Sequence, residues 1–117
     1  MTGKYVLYCS AMGLDQEMYA RGGQENGRVR IGEWRKNYAL DRWMMRLYKT
    51  AGGTGTGYFV PIHLTVADLE CLRNDMCTGS LVNESVTGSR TLRSDLGILH
   101  EALRLIDRGY RVFYRSG

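Results

Sequence analysis

Proline is almost missing from this chain, histidine and lysine are scarce, and no apolar run approaches the length of a membrane span. The one proline, Pro61, confines the segment around it to a sheet edge or a loop. The two histidines, His63 and His100, have no sequence neighbour that would make a nucleophile-base pair, which argues against a hydrolase of that kind. Cys9, Cys71 and Cys77 are odd in number, and no third or fourth ligand stands near the last two, so neither a disulfide framework nor zinc is expected. The sequence predicts buried or half-buried free thiols instead. The apolar stretch at 5–9 is too short for a secretory core or a span, so a soluble protein of a reducing compartment is expected, without membrane contact.

What is present fits one domain over 1–117, with 44% hydrophobic residues, enough for a core without metal or disulfide staples. The net charge is +4, and thirteen of the sixteen cations are arginine, leaving Lys4, Lys36 and Lys49. Arginine suits planar, multidentate contact to phosphate or carboxylate. The positive balance disfavours an acidic mimic of DNA and favours anionic partners.

Segments 4–9 and 16–21 read as short strands, separated by a turn near 12–15 and broken by Gly22-Gly23. Residues 28–31 lead into a helix expected over 33–49, whose Leu40, Trp43, Met44 and Leu47 form one apolar stripe. Asn37 falls on the same stripe, as a polar plug or a pocket residue. A glycine-rich connector at 51–57 precedes an extended segment at 58–64. Thr65 and Asp68 have capping-box spacing for a helix over 66–76, and Gly79 is placed to terminate it. Residues 80–90 read as polar loop. A helix over 92–108 carries the seam Leu92, Leu96, Leu99, Leu103 and Ile106 and stops at Gly109. In 110–115, Tyr110, Val112 and Tyr114 alternate with Arg111, Phe113 and Arg115. The pattern predicts an α+β domain: a small antiparallel sheet of N-terminal strands plus the C-terminal strand, packed against about three helices.

No catalytic constellation emerges. Glu33 and Asp41, on one expected helix, stand roughly 12 Å apart by helical rise, too far for a cooperative acid-base pair. Asp95 and Glu101 suit solvent-facing helix positions. The run 52–57 follows a helix rather than a strand, against the order that a phosphate-binding loop requires. The expectation is a protein that is not an enzyme, with no catalytic residues, cofactor or metal.

The densest feature is Trp34-Arg35-Lys36-Asn37-Tyr38-Ala39-Leu40-Asp41-Arg42-Trp43. It resembles the signature W-R-K-x-N/A-x-I/L-H/D-x-W of a family of small, mostly uncharacterised proteins of tailed bacteriophages. The family's leading G-L-D has a counterpart in Gly13-Leu14-Asp15, followed by Met18 to Arg21. Its L-T-x-x-D-L helix start resembles 64–69, and its closing F/V-Y-x-S strand resembles 112–116. Asp41 stands where the family often has histidine, and the segment before Gly13 is extra, so that Met12 corresponds to the usual start. The resemblance implies a phage origin and an accessory role in the host cytoplasm, and supplies no assigned active site.

Arg35, Lys36 and Arg42 beside Trp34, Tyr38 and Trp43, with Asn37 and Asp41 among them, offer cations for phosphate and rings for a base. Arg111, Tyr114 and Arg115 on the final strand would complete the wall. The first expectation is therefore a homo-oligomeric counter-defence protein that sequesters a phosphorylated nucleotide immune signal. The second is an inhibitor of a host defence protein, an enzyme or a CRISPR-type nucleoprotein complex, since tryptophan, tyrosine and arginine also serve as interface hot spots. Direct nucleic-acid binding is the third, with no helix-turn-helix or RNA-binding aromatic motif to support it.

Overall fold

The computed structural model describes residues 13–22 and 25–117, so the strand expected at 4–9, with Cys9, lies outside the described residues. Strand β1 (Asp15–Gly22) pairs antiparallel with β2 (Glu25–Arg35), with Gln16 opposite Trp34 and Glu17 opposite Glu33. A register shift between Met18 and Tyr19 sets Met18 opposite Gly32 but Tyr19 opposite Arg30, so Ile31 is the extra residue of a bulge.

β2 runs through the positions expected to open the first helix. Its end is fixed by pairing on both sides: the amides of Val86 and Ser89 donate to the carbonyls of Arg35 and Glu33. Lys36 then has a φ of 59°, a left-handed conformation that no α-helix can include. Helix α1 (Tyr38–Thr50) starts only after Asn37, whose side chain accepts from the amide of Leu40 as an N-cap. Glu33 and Asp41 therefore belong to different elements. The expected stripe does face inward, with Leu40, Trp43 and Met44 buried.

After the connector, β3 (Ile62–Leu64) begins directly behind Pro61 and lies at one sheet edge. Helix α2 (Val66–Cys77) has the expected Thr65–Asp68 capping box and ends at Gly79 with φ 82°. Cys71 and Cys77 are exposed on it, contrary to the expected burial, because its inner side is filled by Leu69, Leu72 and Met76. The expected loop contains a two-residue strand, β4 (Thr87–Gly88), paired with the end of β2. Helix α3 (Leu92–Asp107) buries Asp95, Leu99, Ala102 and Leu105, a stripe rotated from the expected leucine seam, and Leu92 is exposed. Asp95 is thus an interior residue, 1% exposed, and not a solvent-facing partner of Glu101.

Strand β5 (Tyr110–Ser116) inserts between β3 and β1, giving the antiparallel order β3-β5-β1-β2-β4 and the expected α+β architecture. One apolar core joins Met18, Ala20, Trp34, Ile62, Leu64, Val112 and Tyr114 of the sheet to the buried residues of all three helices. The helices therefore share one face. Because side chains alternate along a strand, the other face carries Glu17, Tyr19, Arg21, His63, Arg111, Phe113 and Arg115. No helix of the described residues is long and apolar enough to cross a membrane.

Candidate binding face on the open side of the sheet

The indoles expected to meet a ligand are core residues. Trp34 is 2% exposed and its Nε1 donates to Asp95 Oδ1 at 2.8 Å; Trp43 is 9% exposed and donates to Asp75 Oδ2 at 2.8 Å. A buried indole N–H needs such an acceptor, and each has one. The helix cluster as a ligand site is thereby withdrawn, and the protein-interface reading loses the two tryptophans that motivated it.

Asn37, Asp41 and Tyr114 are also interior. Gln16 Oε1 accepts from the Asn37 amide at 2.8 Å, and Gln16 Nε2 donates to the Asn37 carbonyl and the Tyr114 hydroxyl, both at 2.9 Å. The Tyr114 hydroxyl donates in turn to Asp41 Oδ1 at 2.8 Å. Burial, and next the negative charge of Asp41, hold the Tyr114 phenol far above its ordinary range, so it acts there as a neutral donor. Asn37 Nδ2 continues to Asn83 Oδ1 at 3.2 Å, and Asn83 Nδ2 reaches Asp95 Oδ2 at 2.7 Å. This network ties the 80–90 segment to the sheet and to α1 and α3. Asn37 is the polar plug. The three residues leave the candidate site because they are spent on internal partners.

Of the remaining expected residues, Tyr38 and Arg42 are exposed on α1, Arg42 lying 3.8 Å from Glu84, and Lys36 occupies the corner before it. Arg35, Arg111 and Arg115 all stand on the helix-free face, Arg111 toward one end and Arg115 and Arg35 toward the other.

Strand register sorts that face into rows. The central row crosses four strands as His63, Phe113, Tyr19 and Arg30. The rings of Tyr19 and Phe113 stack at 5.6 Å between centroids, with His63 and Phe113 at 5.4 Å. The Arg28 guanidinium sits 4.3 Å over the Tyr19 ring, which is only 4% exposed; His63 is exposed and Phe113 half-buried. Two residues along each strand the backbone register sets Arg111, Arg21 and Arg28 opposite one another. Arg28 reaches back to Glu17, while among the described residues neither Arg21 nor Arg111 makes an ion pair. On the other side lies a mixed row of Arg115, Glu17 and Glu33, followed by Asp15 opposite Arg35 at 3.2 Å.

At this mixed end the face deepens into a cavity of about 380 Å³, bordered by Asp15, Glu17, Arg30, Glu33, Phe59 and Arg115. Phe59 projects from the connector, 66% exposed, and holds a left-handed φ of 63° while its amide donates to the Ser116 carbonyl at 2.7 Å. The Arg115 guanidinium lies 5.7 Å from its ring centroid. Among the described residues no cluster of metal-ligating side chains occurs.

Tyr19, Arg21, Arg28, Arg30, Phe59, His63 and Phe113 are absent from the sequence-derived candidates. Only the alternation of β5 pointed toward this face. The rest needed the strand order.

No family model, curated protein or solved structure matches the chain. Position by position, the phage-type signature also places Tyr38 where its Asn or Ala stands, so the likeness of the 34–43 run is looser than its ends suggest.

Proposed function

We propose that this protein is a non-enzymatic binder of phosphorylated, base-bearing ligands, held on the helix-free face of the sheet. The observation that carries the reading is the row Arg111–Arg21–Arg28 beside the aromatic row His63–Phe113–Tyr19. Like charges placed directly opposite in a sheet oppose folding, by about 0.2–1 kcal/mol per pair. Arg28 is engaged by Tyr19 and Glu17, but folding alone gains nothing from setting Arg21 opposite Arg111, neither of which makes an ion pair among the described residues, whereas a phosphate accepts from both. Of the neighbouring rings, Tyr19 is covered by Arg28, while the exposed His63 and half-buried Phe113 offer a surface for a base. The biological setting we assign is phage counter-defence in the host cytoplasm, by sequestration of a nucleotide immune signal, and it rests on the resemblance of the 13–116 segment. A flat face buries only one side of a small ligand, so a homo-oligomer closing over it is part of the proposal.

Single-stranded nucleic acid is the second reading, and the neighbouring His63 and Phe113 rings beside arginines unpaired among the described residues are what favour it. A melting screen separates the two. Cyclic dinucleotides and ADP-ribose-type molecules should raise the melting temperature by several degrees at a hundred times Kd. An oligonucleotide binder would instead respond to short single strands, with affinity falling steeply as salt rises. No response to any phosphate-bearing ligand, or an undiminished response in an Arg21→Ala, Arg111→Ala double variant, would overturn the assignment of this face.

A further inference from the structure

Resting on the nucleotide reading above, we propose that the cavity at the mixed end of the face is a base-reading subsite selective for guanine. Its carboxylates are held ready. Glu17 and Glu33 stand directly opposite each other, and Arg30 bridges them, with Nε 3.9 Å from Glu17 and Nη1 3.4 Å from Glu33. The hydrogen bonds that these two acids accept from Arg28 and Arg30 fall on Oε1, and each carboxylate has a second oxygen with which to accept from a ligand. Phe59 supplies an exposed ring at the cavity rim in a conformation disfavoured for its residue type.

Guanine answers this donor-acceptor set. Its N1–H and N2–H₂ lie side by side and can donate to carboxylate oxygens, and its adjacent edge offers O6 and N7 to a guanidinium such as that of Arg30 or Arg115. Adenine would turn a bare N1 acceptor toward the carboxylates. Cytosine does the same with N3, and uracil flanks its one ring N–H with two carbonyls. The three acids in this cavity also repel phosphate, which directs the phosphates toward the arginine row. That row lies four residues along β1 from Glu17, roughly 13 Å away by strand rise. A guanosine with an extended phosphate chain, or a guanine-containing dinucleotide, spans this distance better than a monophosphate.

The test is calorimetric titration of the full chain with GTP, ATP, and the linear dinucleotides pGpG and pApA. The guanine ligands should bind at least about tenfold more tightly than their adenine counterparts. Glu33→Gln should bring that ratio close to one without changing the melting temperature of the free protein, because the Glu33 side chain is exposed. Phe59→Gly should weaken both bases together, since stacking is indifferent to base identity. Equal binding of guanine and adenine ligands, with Arg21→Ala still weakening both, would overturn the subsite and leave the nucleotide reading standing. Binding of none of the four would remove both. Displacement of bound GTP by an arginine-rich peptide that tolerates Arg21→Ala but not Glu33→Gln would show the cavity to be a cation site and overturn the guanine assignment.

Discussion

Replacing Asp95 by alanine withdraws one acceptor from three donors at once: Trp34 Nε1 at 2.8 Å, Asn83 Nδ2 at 2.7 Å and the Ser89 hydroxyl. Asn83 keeps the Ser89 carbonyl at 3.2 Å, and the Ser89 hydroxyl keeps Ser94 at 2.8 Å, so these two donors are only weakened. The indole N–H has no substitute. A buried donor without a partner costs about 1–3 kcal/mol, and loss of hydrogen bonds to a charged acceptor adds to this. The expected destabilisation is about 3 kcal/mol, a large share of the roughly 5–15 kcal/mol that a domain possesses. Urea unfolding followed by tryptophan fluorescence should show a lower midpoint with an unchanged slope. Trp34→Phe, which removes the same N–H, should share part of that loss, so the double-mutant cycle returns a coupling energy of about 1–2 kcal/mol. A loss under about 0.5 kcal/mol for Asp95→Ala, the scale of ordinary surface substitutions, would refute the reasoning. So would a coupling energy of zero. Either result would free the indole for another task.

Three further outcomes follow from the geometry. Arg21→Ala and Arg111→Ala should each weaken nucleotide binding while leaving stability unchanged or raising it by about 0.2–1 kcal/mol, because each relieves a like-charge neighbour; titration and melting together check this. Gly88→Ala should cost about 2 kcal/mol in urea unfolding, since its Cβ would lie 2.5 Å from the Glu33 carbonyl oxygen at a φ of 77°. Tyr114 gives an alkaline prediction: its folded phenol titrates above its unfolded value of about 10, so unfolded chains release a proton there that folded ones retain. Stability is therefore intact below about pH 10 and falls above it by about 1.4 kcal/mol per pH unit from this group. Tyr114→Phe should show a shallower decline over the same range of urea unfolding measurements.

Much of the architecture was legible where the signals are local. The Thr65–Asp68 box, the left-handed Gly79 and the alternation of Arg111, Phe113 and Arg115 all depend on neighbours within a few residues, and all are found in place. The 33–37 stretch was misread because its spacing continues the true stripe of α1 backwards by one turn. The competing strand signal, Arg28 and Arg30 alternating with Val29 and Ile31, is interrupted when the bulge at Ile31 puts Gly32 and Trp34 on the core side. Asp95 carries no local mark of burial, since its partners Trp34, Asn83 and Ser89 come from β2 and the 80–90 segment. The arginine row was hidden for a similar reason. Arg21, Arg28 and Arg111 sit on three strands, and nothing short of register brings them abreast.

The placement of β5 between β3 and β1 has a kinetic consequence. Gly22 and Tyr110 are register partners, so the middle of the sheet joins segments from distant parts of the chain. During synthesis, β1 and β2 can meet early as a hairpin, but their neighbour emerges from the ribosome only after all three helices. Closing such a long loop late favours slow acquisition of the native state. Until then the β1 edge is unpaired and its Met18 and Ala20 side lacks part of its cover, so the nascent chain passes through an aggregation-exposed interval that ends only when β5 arrives.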